Sequence, residues 1–363
     1  MRMKMIWVAL AVAGATLLAA GLARAASVFN QRGNILISDQ FNNRIIEVDP
    51  VSKTIVWQFG NGSSVAGPKS VVAPNDAQRV GDLTLISGTG APQGTEPGCM
   101  NAPCLDNRVF VVNQAGKIVW QYGKAGVSGS DFDELNTPVQ ATFLPSKHVL
   151  ITDQGNNRVI EVDELRVIVW QYGMTGVAGN GWNQLNTPNS AELLENGDIL
   201  IADQGNNRVI EVNRENQVVW SYNNSGDPSV LNAAAFASRL CNGDTLITDS
   251  NNNRVFEVDM NGDLVGSYYS TASGTAPNPL PTRAIRLCNG NTLISNQFAG
   301  QVIEVDSSGT IVLSFGTLGK NDNAPGDLNG PYDAKEIGDY VGLTPPFGNF
   351  FPIDVNFFNP SGF

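Results

Sequence analysis

The chain is short of the groups from which most hydrolytic and metal sites are built. It has a single histidine, His148, among 363 residues, so a zinc site or proton relay that needs several imidazoles cannot be assembled. Charged residues are also scarce, at 15%, and basic ones are the minority, 22 against 34 acids. A net charge of −12 repels phosphate backbones and argues against nucleic acid as a partner, while leaving cations and basic surfaces possible. No segment keeps a long helical period, and past the N-terminus no apolar run is long enough to cross a bilayer.

What is present is Gly, Asn and short apolar runs, the composition of many strands joined by tight turns. The one long apolar run, in MRMKMIWVALAVAGATLLAAGLARA (1–25), follows Arg2 and Lys4 and ends in Ala23-Arg24-Ala25. It predicts a cleaved signal peptide, with an uncleaved anchor as the alternative. The protein is then expected to be secreted or periplasmic, with no membrane span after cleavage.

DQGNNRVIEV occurs at Asp153–Val162 and again, letter for letter, at Asp203–Val212. Related segments are DQFNNRIIEV at Asp39, LDNRVFVV at Leu105, DSNNNRVFEV at Asp249 and NQFAGQVIEV at Asn296. The spacings between the aligned Arg44, Arg108, Arg158, Arg208, Arg254 and Gln301 are 64, 50, 50, 46 and 47 residues. A period near 50 signals one supersecondary unit per repeat, with an insertion in the second. From Pro188 the fourth unit reads as four short strands separated by Asn196-Gly197, GNN and a polar turn, and Asn-Gly recurs at Asn242-Gly243 and Asn289-Gly290. Six such units predict an all-β, six-bladed β-propeller of four-stranded antiparallel blades over 26–340, closed by its N- and C-terminal strands because LNGPYDAKEIGDY (Leu328–Tyr340) repeats the first-strand pattern with no further strands of the unit after it, and followed by a Phe/Pro-rich tail at 341–363.

These repeats, best seen in LNTPNSAELLENGDILIADQGNNRVIEV (Leu185–Val212), resemble NHL repeats. The strands that end in VVW or IVW also resemble blades of quinoprotein and arylsulfotransferase propellers. Both resemblances imply the propeller. Zinc lyases on NHL-like propellers use several channel histidines, which this chain lacks, and His148 stands at the wrong end of its strand for an arylsulfotransferase.

The repeated string is expected to be a structural clasp, with Asp39–Arg44, Asp153–Arg158, Asp203–Arg208 and Asp249–Arg254 paired across one turn. In the sixth unit Asn296 and Gln301 replace both charges together. In the second, Gly88 stands at the acid's place and Asp106 is the candidate partner of Arg108. Trp57, Trp120, Trp170 and Trp220 share one position of the fourth strand and are expected to wedge between blades, whereas Gly266 and Leu313 replace them in units five and six. Cys99 and Cys104 should bridge within the insertion, and a second bridge, Cys241–Cys288, is possible if those turns approach within about 7 Å.

The first strands, which would line the channel, offer Asn75, Asp76, Asn189, Ser190, Arg283 and Asp333. That set suits a small ligand or Ca²⁺, or else only a water-filled channel. No other cofactor is indicated. Asp259, Asn261 and Asp263, and Asp322 with Asp327, resemble Ca²⁺ loops only in outline. Three functions fit these residues: an exported, non-catalytic propeller that binds a protein, glycan or peptide on the face of its long loops; a rigid scaffold of the cell envelope; or a channel enzyme of the Ca²⁺-dependent lactonase or arylsulfotransferase kind.

Overall fold

The computed structural model describes residues 28–223, 230–269, 277–341 and 343–345. The predicted signal peptide and most of the C-terminal tail lie outside the described residues. Six four-stranded antiparallel sheets form a ring. The inner strands of blades 2 to 6 are Pro74–Val80, Pro138–Phe143, Ser190–Leu193, Ala234–Arg239 and Pro281–Arg286. Each packs beside the inner strands of its two neighbours, so these strands wall the axis. In blade 4 the outer three are Ile199–Asp203, Arg208–Val212 and Val218–Tyr222, as the alternating Ile and Val between Asn-Gly and GNN turns require.

Blade 1 is closed by chain ends that lie far apart in sequence. Its inner strand is Pro331–Glu336, paired antiparallel with Ile35–Asp39, so the C-terminal strand completes the N-terminal sheet. Two open edges are removed at once. In every blade the third and fourth strands slip register by one residue, for example between Glu211 and Val212, and this bulge twists the outermost strand.

The hydrophobic core is divided among the seams between blades. The seam of blades 3 and 4, for instance, gathers Leu150, Val159 and Tyr172 against Ala191, Ile201 and Ile210. Among the described residues the seam of blades 5 and 6 has the smallest of the six cores, built on Leu246, Val255, Ile294 and Ile303 with no tryptophan. No helix among the described residues is long and apolar enough to cross a membrane.

Candidate functional site

The repeated decapeptide is built to hold loops. After the second strand of blades 1, 3, 4 and 5 the chain makes one 3-10 turn and ends it on an asparagine in the left-handed region, Asn43, Asn157, Asn207 or Asn253, with φ of 50 to 54°. That asparagine reaches across the seam: Asn157 Oδ1 accepts the Thr187 N–H, and Asn207 Oδ1 that of Ala233, each immediately before the next blade. The preceding asparagine donates back to the aspartate, as Asn206 Nδ2 does to Asp203 Oδ2 at 2.7 Å. The aspartate's other oxygen accepts the backbone N–H of Asn186 in the incoming loop at 2.8 Å.

Arginine completes the unit. Nε of Arg44, Arg158, Arg208 and Arg254 lies 2.6 to 2.7 Å from Asp39, Asp153, Asp203 and Asp249. Burial raises the carboxyl pKa of Asp39, Asp153 and Asp203, and the arginine and the N–H donors oppose that rise. In blade 2 the Asp106 carboxylate is 2.5 Å from Arg108 Nε and fills the space in which a side chain on Gly88 would sit, 2.6 Å from its ideal Cβ. It also accepts the Val72 N–H, so one residue from the insertion takes over the whole role. Asn296 and Gln301 face each other in blade 6 as a neutral pair.

At the axis the six sequence-predicted channel residues are all buried. Asp76 and Asp333 approach from blades 2 and 1, and two cations lie between them. Lys335 Nζ is 2.6 Å from Asp76 and 2.5 Å from Asp333, while Arg283 is 3.1 and 3.0 Å from the same two carboxylates. Burial raises the Asp76 pKa; Lys335 and Arg283 counter this and Asp333 adds to it. Two acids and two bases cancel. A Ca²⁺ ion does not fit, because the ammonium group already occupies the place between the carboxylates that the ion would take. Lys335 is a second base at the axis, beside the Arg283 that the first strands offered. Lys335 follows Ala334 as Gln78 follows Ala77, and that alignment of first strands was the signal for it.

Asn75 and Asn189 are also committed to protein partners. Gln40 donates to Asn75 at 2.7 Å; Gln154 and Tyr332 donate to Asn189, which itself donates to the Ala235 carbonyl. Ser190 Oγ accepts the Ala237 N–H. The six residues therefore knit the inner strands together.

Cys99 and Cys104 form a disulfide in the insertion. Cys241 and Cys288 do not: both are exposed free thiols. They sit on hairpin turns of two different blades, where the Cys288 N–H is held by Asp339 and Cys241 lines a separate cleft with Leu343. Equal places in two repeats gave them equal height, not proximity. His148 lies on the turn between the first two strands of blade 3, its Nδ1 2.6 Å from Glu161, whose other oxygen binds Arg214. The DMNGDL turn closes on itself, Asp259 accepting the N–H groups of Asn261 and Asp263, and Asp327 pairs with Lys320.

The opposite arrangement is found on the face that carries the loops from fourth to first strands. Three of these loops are closed by the same parallel bridge, Ser128 with Leu135, Ala178 with Leu185 and Asn321 with Leu328, and each leucine is fully buried. The closed loops of neighbouring blades 3 and 4 hold Phe132 and Trp182 three residues before that leucine, 68% and 75% exposed. Asp131, Asp133 and Glu134 surround the first of these rings in sequence.

Fold and geometry together define a closed six-bladed β-propeller that holds two acids against two bases at its axis. No family model and no curated protein sequence matches the chain, so the likeness to NHL repeats remains one of motif. Solved structures do match in fold. A protein of unknown function from Bacteroides caccae is 16% identical with a TM-score of 0.56, over 80% of this chain and 97% of that one. A streptogramin B lyase is 13% identical with a TM-score of 0.50, over 86% and 87%.

Proposed function

We propose that this protein is an exported, non-catalytic propeller that binds another protein through its loop face. The observation that carries this reading is the pair Phe132 and Trp182, two large rings exposed on loops that are closed by bridges and anchored by buried leucines. Exposed aromatics on rigid loops lose little conformational freedom on binding and supply much contact area. The acidic residues beside Phe132 favour a partner with an apolar patch bordered by basic side chains. At the axis Asp76 and Asp333 already have cationic partners, which supports binding through the loops rather than chemistry on those two acids. Export is supported by the signal-like N-terminus and is consistent with the Cys99–Cys104 disulfide.

A photo-crosslinking residue at 182, expressed in the native host, tests this reading. We expect a single adduct that is absent when the crosslinker is placed at Val51 on the other face and is weakened by Phe132→Ala. Equal labelling from both faces would overturn the proposal. Sequencing the N-terminus of the envelope-fraction protein tests export, with Ala26 as the expected first residue.

A further inference from the structure

The wedge between blades has one partner set, used repeatedly. Trp57 Nε1 donates to the Gln114 carbonyl on the outer turn of the next blade, Trp170 to that of Arg214, and Trp220 to that of Met260. In two of these seams the end of the next inner strand lays an arginine on the indole, Arg79 over Trp57 and Arg239 over Trp220. Each of those arginines is fixed by a glutamate of the blade that carries the tryptophan, Glu47 at 2.7 Å and Glu211 at 2.8 Å. Carboxylate, guanidinium, indole and carbonyl thus form a layered unit.

At the seam of blades 5 and 6 every member of that unit is present except the ring. Arg286 pairs with Glu257, and Ser307 holds the turn position equivalent to Gln114 and Met260. Gly266 stands where the tryptophan would be, facing Glu257 in the same register in which Glu211 faces Trp220. A Cβ on Gly266 would meet nothing within 4 Å. In place of the ring is a cleft of about 390 Å³, lined by Glu257, Gly266, Tyr268, Arg286 and Ser307 and by the apolar Ile294. That is within the usual range of roughly 300 to 1,000 Å³ for small-ligand sites. The guanidinium has lost its cover: exposure of the side chain is 3% for Arg79, 15% for Arg239 and 25% for Arg286. Blade 6 differs again, because Leu313 takes the tryptophan's place and packs on the neighbouring core.

We infer that the cleft between blades 5 and 6 is a binding site for an indole ring supplied from outside the chain. The ring lies against the Arg286 guanidinium, its edge meets Tyr268, and its N–H donates to the Ser307 carbonyl, as those of Trp57, Trp170 and Trp220 donate to the equivalent carbonyls. The site opens among the hairpin and outer turns of blade 6, on the side away from the loops, and is independent of the loop-face reading.

Indole itself is the probe, titrated into the purified full-length protein and followed by thermal melting and by ligand-observed NMR. Saturable binding with a rise in melting temperature is expected. 1-Methylindole, which cannot donate, should bind more weakly, by up to roughly tenfold. Gly266→Trp should melt higher than wild type without ligand and lose the indole response. If that variant does not fold, Gly266→Leu, which copies blade 6, must also weaken indole binding. N-acetyltryptophanamide separates the sources: binding at least as tight as indole's identifies a tryptophan side chain as the occupant, and binding of free indole alone identifies a small molecule. No saturable response in wild type, or an undiminished response in the folded Gly266 variant, overturns the inference.

Discussion

Removing Arg208 is the direct test of whether the twice-written decapeptide is a clasp. Arg208→Ala breaks the 2.7 Å bond to Asp203 and two bonds to the carbonyls of Gln184 and Asn180, which hold the loop entering blade 4. Asp203, itself fully buried, keeps the donors Asn206 and Asn186 but loses its cation. A charge-assisted hydrogen bond contributes about 1.5 to 3 kcal/mol, and Arg208 is 16% exposed, so water replaces part of what is lost. We expect a destabilisation of about 2 kcal/mol. In the identical string of blade 3 the Arg158 side chain is only 3% exposed, and Arg158→Ala should cost more, about 3 kcal/mol, nearer the cost of stranding a fully buried charge. Urea unfolding followed by tryptophan fluorescence measures both as shifts of midpoint at constant slope. In an Asp203→Asn background the cost of Arg208→Ala should fall below about 1 kcal/mol, because the stranded charge is gone. Additive losses in that double variant, or an Arg208→Ala protein within about 0.5 kcal/mol of wild type, would refute the clasp.

Three further outcomes follow from the same geometry. Lys335→Met leaves Asp76 and Asp333 sharing one guanidinium at the buried axis, and should cost about 3 to 5 kcal/mol in denaturant titration, more than removing any exposed lysine. Burial holds the Glu192 carboxyl well above the ordinary carboxylate range. Its unfolded form therefore ionises first as pH rises, so its contribution to stability falls between the ordinary and the raised pKa; Glu192→Gln should remove that fall and gain stability at pH 7 relative to pH 4, seen by comparing melts at both. Truncation after Gly326 deletes the inner strand of blade 1 and should give aggregation or loss of cooperative unfolding, whereas truncation after Pro346 should leave a monomeric, cooperatively melting protein.

The strands and their order could be read from the sequence because each apolar run alternates and each is bounded by a turn with its own chemistry. Ring closure followed from a first-strand pattern at Leu328–Tyr340 with nothing after it to pair. The clasp could be read because its exceptions are paired: acid and base disappear together in blade 6, and Asp106 appears where Gly88 has replaced the acid. The axis was harder. Sequence placed Asp76, Arg283 and Asp333 on inner strands, but whether such groups face a ligand or one another depends on the distance across the ring, which no local pattern encodes. Lys335 was missed for that reason, and the Cys241–Cys288 pairing was admitted for the same one. The aromatic loop tips escaped notice because exposure of Phe132 and Trp182 comes from the bridges closing their loops, and those bridges join residues seven apart with no strand pattern.

Six copies of one unit let each position be compared with itself inside a single molecule, and the comparison separates two kinds of change. Where blade 6 loses the clasp aspartate it also loses the arginine, and where blade 2 lacks the aspartate another carboxylate fills the vacated space. Such compensated changes preserve charge balance and packing, and they mark positions whose task is to hold the fold. Gly266 is a change of the other kind. The glutamate, the arginine and the turn that elsewhere enclose an indole are all retained in blades 5 and 6, although without the ring a guanidinium is left partly bare and, among the described residues, the seam has the smallest core of the six. Where a Cβ at that position would meet nothing within 4 Å, a retained cradle without its ring is accounted for by a ring that arrives from elsewhere.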